Sequence, residues 1–384
     1  MAKKIKRTNW VNKFELVGRP KINDYTFKMN GKSEKSSWTY NSMSLYIDCG
    51  EKHGDVLCEM IGGYNADGNS FIYAHGKDEN GRDDFNDNAR MTIPWEDRLN
   101  PDVLDDVGKL CFITVGIEKD IQGKTFYKEF LSEYDAIAYI KEYLTEDMVL
   151  RIKGDLNYSL YNDRVTVKKR IKSIVLSSIT DESSFSATFT QSILLDKDSV
   201  NMRDLDKSTG VVPIYGRVLD YVKEVNGVEI KTFYPMPVVF HYKFTTEDEQ
   251  LRNVIYNKLF KVKKGITQIN FFGELIENGT VTVSFDDLPE EIKELVTLGV
   301  YPKEVALAKC TENRTKDKKM YILRPDITQE GEEGNKASKV VMIEDAYDEE
   351  DLIFTMEDVM SDEEVDNLVD SAITDDSMEW LKGI

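Results

Sequence analysis

Apolar and polar residues alternate over much of the first 325 positions, in segments rich in β-branched and aromatic residues. This period of two is typical of half-buried strands. It predicts strands at 14–30, 38–50 and 55–64, a hairpin at 109–131, and a strand pair at 147–161 and 164–176. Between the hairpin and the strand pair, the spacing of Ile137, Ile140 and Leu144 predicts a helix over 132–144. We therefore expect a mainly β protein with a few helices.

The order of these elements is that of an OB-fold, a five-stranded Greek-key barrel with a helix between its third and fourth strands. A Gly- and Asp-rich loop and the hairpin, at about 65–131, would form an insertion before the helix. We therefore expect an OB-fold-like unit at 11–178, preceded by a basic N-terminal arm at 1–10.

A weaker copy of the pattern recurs at 184–325. Residues 211–225 and 228–244 are joined by Asn-Gly, the strongest short hairpin signal, and a helical pattern follows at 245–260. Leu-Val-Gly-Arg at 16–19 is echoed by Ile-Tyr-Gly-Arg at 214–217. A Gly-acid-Leu step at 154–156 recurs at 273–275. The sequence thus predicts tandem OB-fold-like barrels.

The negative charge lies at one end of the chain. The 384 residues have a net charge of −20, but residues 326–384 alone hold 20 acids and three lysines. The body of the chain is therefore nearly neutral. A block of like charge with few aromatics cannot bury enough apolar surface to offset its ordering entropy. We expect 326–384 to be a disordered acidic tail.

Composition narrows the class of protein. A content of 41% hydrophobic residues is typical of a globular chain, and no apolar run reaches the length of a membrane span, about 18–20 residues. The N-terminus is basic but lacks the apolar region of a secretory signal. The four cysteines have no CxxC spacing, which favours reduced thiols in a cytoplasmic protein.

The sequence contains no catalytic signature such as a P-loop, GxSxG or HExxH. Residues that could surround zinc, in a spacing that matches no standard site, are Cys49, His53, Cys58 and His75. Acids that could hold Mg²⁺ as in a nuclease, although they lie in a Gly- and Asn-rich loop, are Asp83, Asp84 and Asp87. We expect a protein that is not an enzyme and has no cofactor.

Aromatic residues interleaved with bases are the main functional signal. Binding single strands without sequence preference needs cations for the phosphates and exposed rings on which bases stack. The residues that satisfy this description are Trp10, Arg19, Lys32, Lys35, Trp38, Tyr40, Lys124, Phe126, Tyr127, Arg151, Lys153, Tyr158, Tyr161, Arg164, Lys168, Lys169 and Arg170. Strand alternation puts Tyr158 on the face of Leu156 and Leu160, so some of these rings belong to the core. For Trp10, the alternative is a solvated terminus.

The tail ends in an apolar tip that a partner protein could bind. The tip residues are Asp375, Asp376, Met378, Trp380, Leu381 and Ile384. Upstream of the tip, residues 351–373 space their apolar side chains at roughly helical intervals and could fold on a partner. The acidic tail could also compete with DNA for the basic surface. Alternatively, the tail only keeps the protein soluble.

Together, the segment Asn-Trp-Val-Asn-Lys-Phe-Glu-Leu-Val-Gly-Arg-Pro-Lys-Ile-Asn-Asp at 9–24, the OB-fold-like order and the tipped acidic tail resemble phage-encoded single-stranded DNA-binding proteins. The resemblance covers about 9–176. It implies single-strand binding in phage DNA replication, recombination or repair in the host cytoplasm, with the tip recruiting replication or recombination proteins. Bacterial relatives end in a run of Asp followed by Ile-Pro-Phe, whereas this tip ends Trp-Leu-Lys-Gly-Ile, so a phage partner is as good a candidate as a host one.

Three other functions remain open from the sequence. A DNA-mimic or inhibitor protein would use the acidic tail to bind a nucleic-acid enzyme, but such mimics spread acids over a folded surface, and this body is nearly neutral. A metal-dependent nuclease would need carboxylates on strands rather than in loops. Recombination annealing proteins are a neighbouring class. Oligomeric state is not fixed by the sequence.

Overall fold

The computed structural model describes residues 5–68, 70–161, 164–225, 228–279, 288–303, 305–306, 317–330 and 337–353. The strands are β1 (Asn12–Lys21), β2 (Phe27–Lys32), β3 (Trp38–Asp48), β4 (Asp55–Asn65), β5 (Phe71–His75), β6 (Arg90–Pro94), β7 (Ile113–Lys119), β8 (Thr125–Phe130), β9 (Leu150–Tyr161), β10 (Arg164–Leu176), β11 (Ser186–Leu195), β12 (Val211–Val225), β13 (Val228–Lys243), β14 (Ile266–Gly279), β15 (Asp317–Pro325), β16 (Ile327–Glu330), β17 (Ala337–Val340) and β18 (Met342–Tyr347). The helices are α1 (Gly50–His53), α2 (Pro101–Asp106), α3 (Glu133–Tyr143), α4 (Glu249–Leu259) and α5 (Glu290–Thr297). The expectation of a mainly β fold is confirmed. Within the described ranges, no helix has the length and apolarity to span a membrane.

The first barrel is closed by five strands. β1 pairs with β3, β3 with β4, β4 with β10, β10 with β9, and β9 with β1. Only the β4–β10 pairing is parallel. Helix α3 is capped by Ser132, whose side chain accepts from the Tyr134 amide, and it lies between the third and fourth strands of the ring. This is the OB-fold order, and β5 to β8 stand between β4 and α3.

The second barrel repeats this ring. β11 pairs with β12, β12 with β13, β13 with β15, β15 with β14, and β14 with β11; again only the pairing of the third and fifth strands is parallel. Helix α4 lies between the third and fourth strands and is capped by the Asp248 side chain, which accepts from the Gln250 and Leu251 amides. The expectation of tandem OB-fold-like barrels is confirmed.

The Gly-acid-Leu echo marks equivalent positions of the two barrels. Gly154 on β9 lies opposite Phe14, and Gly273 on β14 lies opposite Phe189. A Cβ atom at Gly154 would lie 1.8 Å from a carbonyl oxygen of the fifth strand, and one at Gly273 would lie 2.3 Å from its counterpart. The fifth strand is irregular beside each glycine. Phe14 and Phe189 also pair with each other, so a local two-fold axis relates the barrels at this point.

The Gly-Arg echo, in contrast, does not mark equivalent positions, because Gly18 lies on a first strand and Gly216 on a second strand. Counted from the equivalent phenylalanines, Gly18 corresponds to Ile193, and Ile47 corresponds to Gly216. A Cβ atom at Gly18 would lie 2.9 Å from the Ile47 side chain, and one at Gly216 would lie 2.4 Å from the Ile193 side chain. Each barrel thus pairs a glycine with an isoleucine, but on exchanged strands.

Several contacts join the barrels into one body. β1 and β11 form an antiparallel ladder, and the two barrel interiors share one hydrophobic cluster. The Lys169 ammonium of the first barrel forms a buried ion pair with the Glu277 carboxylate of the second. At α1, the His53 Nδ1 lies 2.9 Å from the Leu275 carbonyl oxygen. The position of one barrel therefore fixes that of the other.

Both ends of the described chain pack on the second barrel. Ile5 and Leu352 are buried against Leu194, Leu219 and Ile266. β18 pairs with β14, so the first part of the expected disordered tail, which includes β16 to β18, is folded instead. Its apolar side chains provide the packing that an acidic segment otherwise lacks. The rest of the tail, including the tip, lies outside the described residues.

Candidate nucleic-acid interface

A pair of stacked aromatic rings lies on the outer face of the first barrel. Along β3, the side chains of Met43, Leu45 and Ile47 point inward and are buried, while Trp38 and Tyr40 point outward and are half-buried. The Trp38 and Tyr40 ring centroids are 4.7 Å apart with an interplanar angle of 18°. Because β3 and β4 are the second and third strands of the barrel, this is the face on which OB-folds bind oligonucleotides.

Tyr46 lies on the same outer face and was not among the sequence candidates. It is 41% exposed. The strict alternation along β3 puts it on the side of Trp38 and Tyr40, and this signal was available in the sequence. Tyr46 has no Lys or Arg within five residues in the sequence, so the pattern of interleaved aromatics and bases does not mark it.

Cations surround the stacked pair. β2 lies beside β3 and carries Lys28, whose ammonium is 5.1 Å from the Tyr40 ring centroid. Lys32 and Lys35 are exposed at the end of β2 and in the following turn. The Ser33 amide closes this turn by donating to the Trp38 carbonyl oxygen at 2.9 Å. Rings and cations are thus held side by side at this end of β3.

The bases of β10 divide between two faces of the strand. Lys168 and Arg170 point outward, and both contact Glu59, at 3.7 and 3.4 Å. Lys172 also points outward and contacts Glu133 at 3.6 Å. Such partly exposed ion pairs contribute little to stability, about 0–1 kcal/mol, so the cations can turn to other anions at small cost.

Lys169 and Tyr158 correct the sequence expectation. Lys169 is 3% exposed and faces the second barrel, where it pairs with Glu277. Tyr158 is 5% exposed, and its hydroxyl donates to the Gln191 side chain at 3.2 Å. Burial raises the pKa of Tyr158. Both side chains join the two barrels and are not accessible to a nucleic acid.

A second group of candidates lies at the other end of the first barrel. Phe126 and Tyr127 on β8 are 49% and 56% exposed, next to the exposed Lys124. Tyr127 lines a groove of about 950 Å³ together with Arg19 and Arg151. The structure therefore does not bring all candidates onto one surface.

Several bases of this second group already have polar partners. Arg19 donates to the Asp147 carbonyl oxygen at 3.0 Å and contacts Glu182 at 3.3 Å. Arg151 and Lys153 both contact Glu15, at 3.4 and 3.1 Å. These bases offer less unpaired charge than the lysines beside Trp38 and Tyr40.

The remaining candidates do not form a common site. Trp10 is half-buried in the folded N-terminal arm, where the Arg7 guanidinium lies 5.5 Å from its ring centroid, so it is not a solvated terminus. Arg164 is exposed at the start of β10. Tyr161 pairs with Arg164 through the backbone, and its side chain lies outside the described residues, as do the six tip residues.

The potential metal ligands are dispersed. Cys49 and Cys58 are buried, and burial raises the pKa of Cys58 to about 12. His75 lies in the insertion instead, with its Nε2 2.8 Å from Asp83 Oδ1. The Leu110 amide also donates to Asp83 and is the main cause of the lowered pKa of that carboxyl. Across the described ranges, no group of three or more His, Cys, Asp or Glu residues is placed to hold a metal ion.

Comparisons with known proteins add three findings. A family model described as YorF matches residues 118–295, less than half of the chain, from the end of β7 to α5. No curated protein matches the chain. Among solved structures, a deletion mutant of the single-stranded DNA binding protein from Thermus aquaticus matches with a TM-score of 0.30 and 10% identity, over 70% of this chain and 87% of that chain. A likeness at this level carries no argument about function.

Proposed function

We propose that this protein binds single-stranded DNA without sequence preference and is not an enzyme. The observation that carries the proposal is the stacked Trp38–Tyr40 pair on the second strand of an OB barrel, with Lys28, Lys32 and Lys35 beside it. Exposed rings give stacking that every base can use, at about 1–3 kcal/mol per base, and lysines neutralise the phosphates. No sequence readout is needed for either contribution.

The outward bases of β10 would extend the phosphate contacts. Arg170 lies opposite Glu59 across the parallel pairing of the third and fifth strands, next to β4. Each phosphate that replaces a carboxylate partner releases condensed counterions, so binding should weaken as salt rises. Lys168, Arg170 and Lys172 contact two acids, Glu59 and Glu133. Asp155, opposite Arg170 on β9, is paired with Lys13, which leaves one positive charge in excess.

We further propose a role in phage DNA replication, recombination or repair within the host cytoplasm, as the family resemblance implies. In this proposal the acidic tail competes with DNA for the basic surface, and its apolar tip recruits replication or recombination proteins. The tail carries few cations of its own, so it is repelled by free DNA and attracted by the lysines of the body.

The test is tryptophan fluorescence during titration with poly(dT) and with duplex DNA, at two salt concentrations. We expect quenching by the single strand and weaker binding at the higher salt. Because Trp38→Ala removes the ring expected to be quenched, its affinity is measured by the anisotropy of labelled oligo(dT). It should fall about 5- to 150-fold, the equivalent of one lost stacking contact. Tyr73→Ala is the matched control, because Tyr73 is 80% exposed but lies on β5, which pairs with β6 in the insertion between β4 and α3.

The tail is tested with a chain that ends at Ile353, after the segment that packs on the second barrel. Removal of 354–384 should tighten binding at low salt, because the competing charge is gone. If neither the full chain nor the shortened one responds to DNA, the proposal fails. Tight binding of the full chain to a nucleic-acid enzyme would then favour the DNA-mimic alternative.

A further inference from the structure

The second barrel carries a tyrosine at the position of Tyr46. In the first barrel, Glu59 on the third strand pairs with both Ser44 and Arg170; in the second, His241 pairs with both Pro213 and Tyr321. Two residues further along the second strands, Tyr46 and Tyr215 therefore occupy equivalent places. Both are on the outer face, and they are 41% and 51% exposed.

An ion pair next to these tyrosines supports the equivalence. In the first barrel, Lys21 contacts Asp48 at 3.4 Å; in the second, Asp196 contacts Arg217 at 3.0 Å. Lys21 and Asp196 are equivalent, as are Asp48 and Arg217, so the charges have exchanged strands. The exchange leaves the arginine on the second strand of the second barrel, two residues from Tyr215 and on the same face.

We propose that the outer face of β12 and β13 is a second contact surface for single-stranded nucleic acid, anchored by Tyr215 and Tyr221. This inference rests on the proposed function. Tyr221 lies on the same side of β12 as Tyr215 and is 50% exposed. Its ring is in an edge-to-face arrangement with the Phe233 ring, with 6.2 Å between the ring centroids. At about 3.4 Å per residue, the two tyrosines are about 20 Å apart along the strand, a span that a flexible single strand can bridge.

Bases that could contact phosphates lie beside the two tyrosines. Exposed bases near the two tyrosines are Lys6, Lys223, Lys231 and Lys243, with Arg217 half-exposed. Among the side chains that the structure describes, the acids on this face are Asp196, which is paired with Arg217, and Glu224. The exposed Asp348, Glu349 and Glu350 come just before Leu352, which packs in the same cluster as Leu219. Lysines interleaved with half-exposed rings are nevertheless the combination that single-strand binding needs.

The N-terminal arm crosses the middle of this face and adds charge to it. Ile5 packs on Leu219, which lies between the two tyrosines on β12. The Arg7 guanidinium lies 4.2 Å from the Phe233 ring centroid and 3.0 Å from the Asp220 carboxylate. The arm thus covers the apolar centre of the face, brings Lys6 to it, and leaves a ring exposed on each side.

The experiment compares two lengths of labelled oligo(dT) by fluorescence anisotropy. One OB-fold covers about 4–16 nucleotides, so an oligonucleotide of about 8 occupies one surface and one of about 30 can reach both. For the variant Tyr215→Ala/Tyr221→Ala, we expect about tenfold or greater loss of affinity for the longer oligonucleotide and less than about twofold change for the shorter one. Tyr73→Ala should bind both lengths as the parent chain does.

The outcomes separate this inference from the proposed function. If the parent chain binds neither length, the proposed function fails and this inference fails with it. If the parent binds both, Trp38→Ala weakens both, and the double variant binds the longer oligonucleotide as the parent does, only the second surface is refuted. If the double variant has the same melting temperature as the parent chain, loss of fold is excluded as the cause of any change in affinity.

Discussion

The buried ion pair between the barrels allows a quantitative test. Lys169 is 3% exposed and donates to Glu277, whose carboxylate is 5% exposed. Replacing Lys169 with methionine keeps most of the side-chain volume but leaves the Glu277 charge buried without its main partner. Removal of one member of a buried pair costs about 3–5 kcal/mol. Lys318, 3.4 Å from the other carboxylate oxygen and 59% exposed, still compensates in part. We therefore expect the free energy of unfolding to fall by about 3 kcal/mol.

The assay is urea unfolding followed by tryptophan fluorescence, with Lys168→Met as the matched control. Lys168 is the preceding residue on the same strand, but it is 49% exposed and contacts Glu59 only at 3.7 Å, so its loss should cost about 0–1 kcal/mol. Replacing both members of the buried pair, Lys169→Met/Glu277→Leu, should restore most of the stability, because no uncompensated charge remains.

Two results would refute this reasoning. The first is equal stability of Lys169→Met and Lys168→Met, which would mean that Lys169 is solvated. The second is a Lys169→Met variant that keeps its stability but binds single strands more weakly, which would restore Lys169 as a DNA contact. A double variant that stays as unstable as Lys169→Met would attribute the loss to packing instead of charge.

Three further predictions concern the fold. Gly273→Ala should lower the free energy of unfolding by about 1–3 kcal/mol, because the new Cβ would lie 2.3 Å from a backbone oxygen. The control Gly68→Ala should change it little, because no atom lies within 4 Å of that Cβ position. Equal effects of the two substitutions would contradict the close approach at Gly273. Burial raises the pKa of Cys58 to about 12, so above pH ~8.5 only the unfolded thiol loses its proton. The free energy of unfolding should therefore fall by about 2 kcal/mol between pH ~8.5 and pH 10, more steeply than in Cys58→Ala. A urea midpoint that does not change over this pH range would contradict the prediction. Arg7→Met, which removes the contacts with Phe233 and Asp220, should lower the free energy of unfolding by about 2 kcal/mol and increase proteolysis near the N-terminus. An unchanged cleavage rate would show that the arm does not need Arg7.

The sequence by itself determined the class of fold and the order of its elements. Alternation along β9 placed Tyr158 on the face of Leu156, and both side chains are buried, because a strand places successive side chains on opposite faces. The glycines at 154 and 273 marked the repeat correctly, because both are required by the same close approach of backbone. The stacked Trp38–Tyr40 pair follows from the same alternation, since residues two apart on a strand share a face.

Only the tertiary structure decided which faces stay accessible. Lys169 and Arg170 are neighbours in a basic run, but one faces Glu277, 108 residues away in the sequence, and the other faces solvent in part. Similarly, the basic arm looked exposed, but Ile5 and Arg7 find their partners on the second barrel. Alternation distinguishes the two faces of a strand, but what covers each face depends on contacts between residues far apart in the sequence. For the same reason, the Gly-Arg echo did not mark equivalent positions of the two barrels. Close packing of the first strand against the second needs one small residue at the contact, but either strand can supply it.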